Sequence, residues 1–430
     1  MLPLLVWMTA RLWRDMTKRE RRALNGILLV AVVLRLVAVA GLFVFASDNQ
    51  PFATFFGDEE MFKFRSVWLR NIGLGVPISA ADIIYAVEET GKSQYLYLLA
   101  FVQALVGDAP YGIHVFNLTV YLAGVIVLYR LARASYGPVP AIGGLLVLLF
   151  LPSLFIWSVS ALKEPLYTLL AALELVCAVA VVRTPRWSVK LLSILAIVAI
   201  AFLLEGLRKG GLLVAGVGSV LGIVAAFIVT RPRLLLATAV GAPAVVFALV
   251  AGTGIEERVL SVLRSSAIYH VGHVFTPGYS YMTLDSWYYI EPRDIPRMPM
   301  GDAAAYAARS LAGYVFEPVP WAIESRAVLA YLPEYVFWLM TILLVPAGVV
   351  VGLRRDALVT CLLATHSLIL VMMVALTSGN VGTLIRHRGL VLPYIIWMAA
   401  LAACELIRVV AATRPVVSTA LLSHGAKAEV

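Results

Sequence analysis

Charged side chains are scarce in this chain, so the places where they gather are informative. Asp58, Glu59 and Glu60 stand in a row just after an apolar run. Adjacent carboxylates repel one another and are costly beside hydrocarbon, so packing gives no reason to collect them there. A carboxylate fixed at a membrane surface can take a proton from a hydroxyl held near a lipid headgroup. Asp58, with Glu59 as second candidate, is read as that general base. Three further clusters offer cations: Lys163-Glu164, Arg208-Lys209 close to Glu205, and Arg386-His387-Arg388. Two Arg flanking a His suit a phosphate or diphosphate headgroup. Glu60, Lys163, Glu164, Arg208, Lys209, Arg386, His387 and Arg388 are therefore the candidate substrate-binding residues.

Each cluster also has a plainer reading. A solvated loop entrance accounts for 58–60. Helix initiation, with Pro165 in the first turn, accounts for Lys163-Glu164. Snorkelling accounts for Arg208-Lys209, although their side of the membrane runs against the positive-inside trend. His270 and His273 have a spacing that a helical metal pair uses, but no third ligand is evident and they read as polar loop residues. No metal ligand is assigned. The stretch Asp285 to Glu291 sets Trp287, Tyr288 and Tyr289 among carboxylates, which suits either stacking on sugar rings or an aromatic belt.

The elements that must position these groups are membrane helices. The 430-residue chain is 61% hydrophobic and only 14% charged, with a mean hydropathy of +0.91. Such a composition excludes a soluble domain. About ten apolar segments are long enough to cross hydrocarbon: 26–46, 110–131, 138–157, 164–182, 188–206, 211–230, 234–252, 334–353, 357–377 and 389–410. The fold expected is an all-α polytopic membrane protein. Residues 1–24 read as a cytoplasmic amphipathic interfacial helix, lying along 2–22, and 25–430 as one transmembrane domain. Two long outer loops follow, 47–110 with the acidic motif and 253–333, the first containing helix-like stretches at 80–89 and 94–106.

Basic residues set the orientation. Arg11, Arg14, Lys18, Arg19, Arg21 and Arg22 hold the N-terminus inside, and ten crossings return Arg130, Arg133, Arg183, Arg354 and Arg355 to that side, with the C-terminus. The net charge of +9 is thus mainly an orientation signal, and nucleic acid is a poor explanation for it. Asp58 to Glu60, Lys163-Glu164, Arg208-Lys209 and 386–388 then share the opposite face at one depth. Arg35 lies inside the first span and carries no assigned role. Cys177, Cys361 and Cys404 all fall within spans, so neither a disulfide nor a thiolate metal site is expected.

With its acidic Gly57-Asp58-Glu59-Glu60 in the first outer loop, its many spans and its late outer loop, the chain resembles the C-type (GT-C) integral membrane glycosyltransferases. Short stretches carry the resemblance further: Ser160 to Pro165, Pro318-Val319-Pro320-Trp321, and Arg386 to Pro393 look like those of bacterial envelope-glycan members. The resemblance implies a polyprenyl-phosphate-sugar donor, a glycan or lipid acceptor, inversion at the sugar carbon and an active site facing the periplasm from the bacterial inner membrane. Some members hold a divalent cation at the acidic motif, so a divalent cation is the one candidate cofactor. Two other readings stand beside it. A polymerase or ligase acting on polyprenyl-diphosphate oligosaccharides relies on the double Arg of 386 and 388. A flippase or transporter needs no chemistry, but asks for charges at mid-span that the sequence scarcely offers.

Overall fold

A computed structural model describes residues 2–45, 57–88, 93–107, 112–252, 254–274, 294–322 and 326–413, and these are helical almost throughout. The order begins with α1 (Leu2–Leu12), α2 (Lys18–Val44), α3 (Gly57–Gly73), α4 (Ala80–Val87), α5 (Gln94–Val106) and α6 (Gly112–Tyr136). It continues with α7 (Pro138–Phe150), α8 (Pro152–Val159), α9 (Glu164–Arg183), α10 (Trp187–Leu207), α11 (Gly218–Val229) and α12 (Pro232–Gly252). It ends with α13 (Ile255–Val274), α14 (Met300–Phe316), α15 (Arg326–Arg355), α16 (Ala357–Thr377) and α17 (Val381–Thr413). Segment 285–291 lies outside the described residues.

Among the described residues, seven helices are long and apolar enough to cross a membrane, and the number rises to nine if each of two bent pairs is one span. Seven to nine among the described residues stands beside an expectation of about ten. Segments 211–230 and 234–252 meet at a 115° bend where Arg231-Pro232 interrupts the helix. Helix ends also differ from expectation. The first long helix starts at Lys18 because Thr17 caps it, accepting from Glu20 N at 3.2 Å, and this cuts the expected 2–22 helix to α1. The last starts at Val381, so 386–388 lie on a helix and not in a loop. The 80–89 and 94–106 helices are found as α4 and α5.

The other bent pair explains Arg35. A break at Leu151-Pro152 turns α7 into α8 by 60° and frees carbonyls inside the bundle. Backbone groups there must be satisfied by protein. Tyr121 Oη donates to Leu148 O at 2.6 Å and Arg35 Nη2 to Leu149 O at 2.8 Å. Arg35 Nε reaches Ser158 Oγ at 2.7 Å, and the guanidinium lies over Phe155 at 4.8 Å. On the far side of the break, Glu334 of α15 accepts the Ser153 N–H at 3.0 Å and also its hydroxyl. A buried arginine and a partly buried glutamate thus satisfy the two sides of the break in one broken span.

Ion pairs segregate by end. Arg130 and Arg133 bind Asp15 and Glu20, Arg183 binds Asp356, and Arg355 binds Glu405. All of these join residues that the sequence assigns to the basic side. Asp58, Glu164, Arg208, Arg386 and His387 meet at the other end. Between the two sets, at the middle of α9 and α16 and the start of α11, Glu174 lies 3.0 Å from His366 Nε2 and accepts the Ser219 hydroxyl.

Candidate functional site

The site is built on a short irregular turn between α8 and α9. Between Val159, the last residue of α8, and Lys163 the chain runs through the interior as a non-helical turn, and buried side chains bind its backbone. His114 Nδ1 donates to Val159 O at 2.5 Å. Asn117 Nδ2 lies 2.7 Å from both Ser160 O and Leu162 O, and 2.8 Å from Tyr95 Oη. The Ala161 N–H donates to Glu59 Oε2 at 2.7 Å. Glu59, His114 and Asn117 are all 0% exposed. A turn tied at this many points has one conformation, and its last residue, Lys163, caps α9, whose first residue is Glu164, followed by Pro165.

Arg386 joins this turn to the acidic motif. From the second turn of α17 its Nη1 reaches Asp58 Oδ2 at 2.5 Å, while Nη2 and Nε reach Glu164 Oε1 at 2.9 and 3.0 Å. The two carboxylates differ in setting: the Glu164 side chain is 7% exposed, that of Asp58 54%. Arg208, at the end of α10, places Nη2 at 2.8 Å from His387 Nε2. Burial lowers the proton affinity of Arg208, with Glu164 opposing that effect. Lys163 has no carboxylate within ion-pair distance among the described residues; burial, with the neighbouring Arg208, brings its ammonium down to about 8, against the pull of Glu164.

The chain after α10 turns at Gly210, where φ is +94° and a Cβ would sit 2.0 Å from Met373 Cε, so only glycine fits. Glu205 accepts the Gly210 and Leu212 N–H groups at 2.9 and 3.0 Å and fixes the turn. Beside it opens a cavity of about 70 Å³ whose lining combines Arg208 and Lys209 with Tyr167, Leu370, Met373, Val374 and Thr377. Two cations thus share the lining with apolar side chains.

Several sequence expectations change at this level. Glu59 is fully buried and turned inward, with Oε2 accepting the Ala161 N–H. Glu60 is exposed on α3, where its charge, with that of Glu59, acts on Lys63. Arg388 leaves the cluster altogether. Two positions along a helix is roughly 200° of rotation, so Arg388 emerges on the opposite side of α17 from Arg386. There it donates from Nε to Tyr314 O at 3.0 Å and lies over the Trp338 ring at 4.9 Å. The paired-arginine diphosphate seat is not formed. His270 is buried against Tyr306, ring centroids 5.5 Å apart. Sequence reasoning passed over His114 and Asn117; their signal was two polar residues three apart on one face of an otherwise apolar helix.

The carboxylates do not fit a divalent cation. Asp58 Oδ2 is engaged by Arg386 and Glu59 by a backbone N–H, and among the described residues no three His, Cys, Asp or Glu side chains converge. Compared with known proteins, the chain matches no family model, no curated protein and no solved structure.

Proposed function

We propose that this membrane protein transfers a sugar from a polyprenyl-phosphate donor to an envelope glycan or lipid acceptor, at the periplasmic face of the bacterial inner membrane. The observation that carries the reading is the meeting, at one end of the helices, of a half-exposed carboxylate with three cations beside an apolar cavity. Asp58 is the carboxylate; Lys163, Arg208 and Arg386 are the cations. The lipid tail runs along the wall formed by Leu370, Met373 and Val374, and its phosphate meets Arg208 together with the neighbouring Lys163 and Arg386.

The acceptor hydroxyl gives its proton to the Asp58 carboxylate as its oxygen bonds to the anomeric carbon. The bond from that carbon to the phosphate oxygen breaks, and polyprenyl phosphate leaves with the electron pair. Charge grows on the leaving phosphate in an oxocarbenium-like transition state, and fixed cations at that point lower the barrier. A single displacement inverts the sugar carbon.

The test is incubation of purified, detergent-solubilised protein with a panel of polyprenyl-phosphate sugars and an envelope-lipid acceptor, with Asp58→Asn as control. Polyprenyl phosphate released by the wild type and not by the variant supports the reading. No turnover of any donor, with a polyprenyl-diphosphate oligosaccharide elongated instead, replaces it with a polymerase.

A further inference from the structure

Asp58 and Glu164 share one guanidinium but hold it differently. Glu164 is buried at the start of α9 and takes two nitrogens of Arg386. Asp58 reaches one nitrogen, Nη1, from an exposed position in the first turn of α3. Exposed ion pairs are weak and readily exchanged, whereas a buried one is costly to break. The neighbourhood also has spare positive charge: Lys163, Arg208 and Arg386 face two carboxylates, and Lys163 pairs with neither.

We propose that Asp58 occupies the seat of the donor's phosphate while the site is empty, and that donor binding expels it. The inference rests on the phosphate-lipid reading above. An arriving phosphate oxygen takes Arg386 Nη1 and the nearby Lys163 ammonium, while Glu164 keeps the inner side of the guanidinium in place. The displaced Asp58 oxygen, until then committed to Arg386, becomes able to accept the proton of the acceptor hydroxyl. Donor binding and release of the base are one event, so the donor binds before the acceptor is activated. Without donor, the carboxylate is held where it activates no hydroxyl, water included.

The test is equilibrium binding of radiolabelled polyprenyl phosphate to the purified full chain in detergent. Wild type, Asp58→Asn, Arg386→Gln and the double variant form a cycle, with Arg386→Lys retaining charge on Glu164 should the Gln variant not fold. Expulsion predicts that Asp58→Asn tightens binding at least fivefold in the wild-type background, and that the gain disappears once Arg386 is replaced. Unchanged or weaker binding by Asp58→Asn overturns the inference while leaving the phosphate-lipid reading intact. An equal gain in both backgrounds also overturns it, since that is general repulsion and not a shared seat. Failure of the wild type to bind polyprenyl phosphate at all removes the underlying reading and this inference with it.

Discussion

The Glu59 carboxylate and the Ala161 backbone N–H, 102 residues apart in sequence, lie 2.7 Å from one another inside the protein. Through this bond the acidic motif of α3 and the Lys163 turn hold each other in place, and neighbouring residues of one motif divide two jobs. Asp58 faces the site; Glu59 faces the scaffold.

That division separates two variants. Glu59→Gln retains an oxygen acceptor for Ala161 and keeps activity within about threefold of wild type. Glu59→Ala leaves a buried N–H without its acceptor, at a cost of about 1–3 kcal/mol, and lowers activity through misplacement of Lys163. Asp58→Asn does the reverse, abolishing turnover with the unfolding midpoint unmoved. Denaturation in detergent beside a turnover assay reads all three. A folded but inactive Glu59→Gln protein would make Glu59 the base.

Lys163 sets a pH limit on donor binding. Burial and Arg208 bring its ammonium to about 8, below the usual lysine range, so it is charged at lower pH and loses its proton as pH rises through that value. A polyprenyl-phosphate sugar is a diester whose single charge is constant there. Its affinity should be level below pH 7 and fall about tenfold by pH 9, about one decade per unit above the titration. Lys163→Gln should bind weakly and flatly across the same range. A wild-type profile that is flat, or a fall that persists in Lys163→Gln, assigns the limit to another group; Lys63, also brought to about 8 by burial, is the nearest alternative.

The parts of this architecture legible in sequence were those written as long apolar runs and as helix-start chemistry. The spans of α9, α10 and α16 fall within a residue or two of the apolar segments, and Glu164-Pro165 opens α9 as its dipeptide demands. Illegible were features fixed by a single polar side chain against a distant backbone. Nothing local in α6 says that Asn117 will hold the carbonyls of Ser160 and Leu162, because the need arises only where the broken helix is packed against it. Arg386 and Arg388 show an intermediate case. Their adjacency reads as one cation cluster in a loop, and only the helical period, which applies once α17 is seen to begin at Val381, sends them apart.

That separation is itself testable. Arg388 is buried between Tyr314 and Trp338, so Arg388→Met removes its bonds to Tyr314 O and should cost about 2–4 kcal/mol in stability. Once folded, the variant should bind polyprenyl phosphate as wild type does. Arg386→Met should lose that binding tenfold or more. If Arg388→Met folds normally and fails specifically on polyprenyl-diphosphate ligands, the two arginines do act together and the ligase or polymerase reading regains its ground.

Glu174 and His366 present the sharpest conflict between charge and surroundings. Both are fully buried at the centre of the helices, with the His366 ring stacked on Tyr394 at 5.5 Å between centroids. His366 Nδ1 donates to Leu362 O at 2.7 Å, so its other nitrogen is the one that meets the Glu174 carboxyl. Ser219 donates to the second oxygen, and a Cβ on Gly218 would come within 2.9 Å of His366 Nε2. These contacts tie α9, α11 and α16 at one level, which fixes their register better than apolar packing alone can. Removing one partner strands the other in a medium that cannot solvate it, and Glu174→Leu or His366→Leu should each cost about 3 kcal/mol. Replacing both leaves neither partner stranded, so the double variant should lose clearly less than the sum, a coupling of about 2 kcal/mol in a double-mutant cycle. Additive losses would show two independently solvated groups and would point to water at mid-membrane, which a transport path needs and a register lock does not.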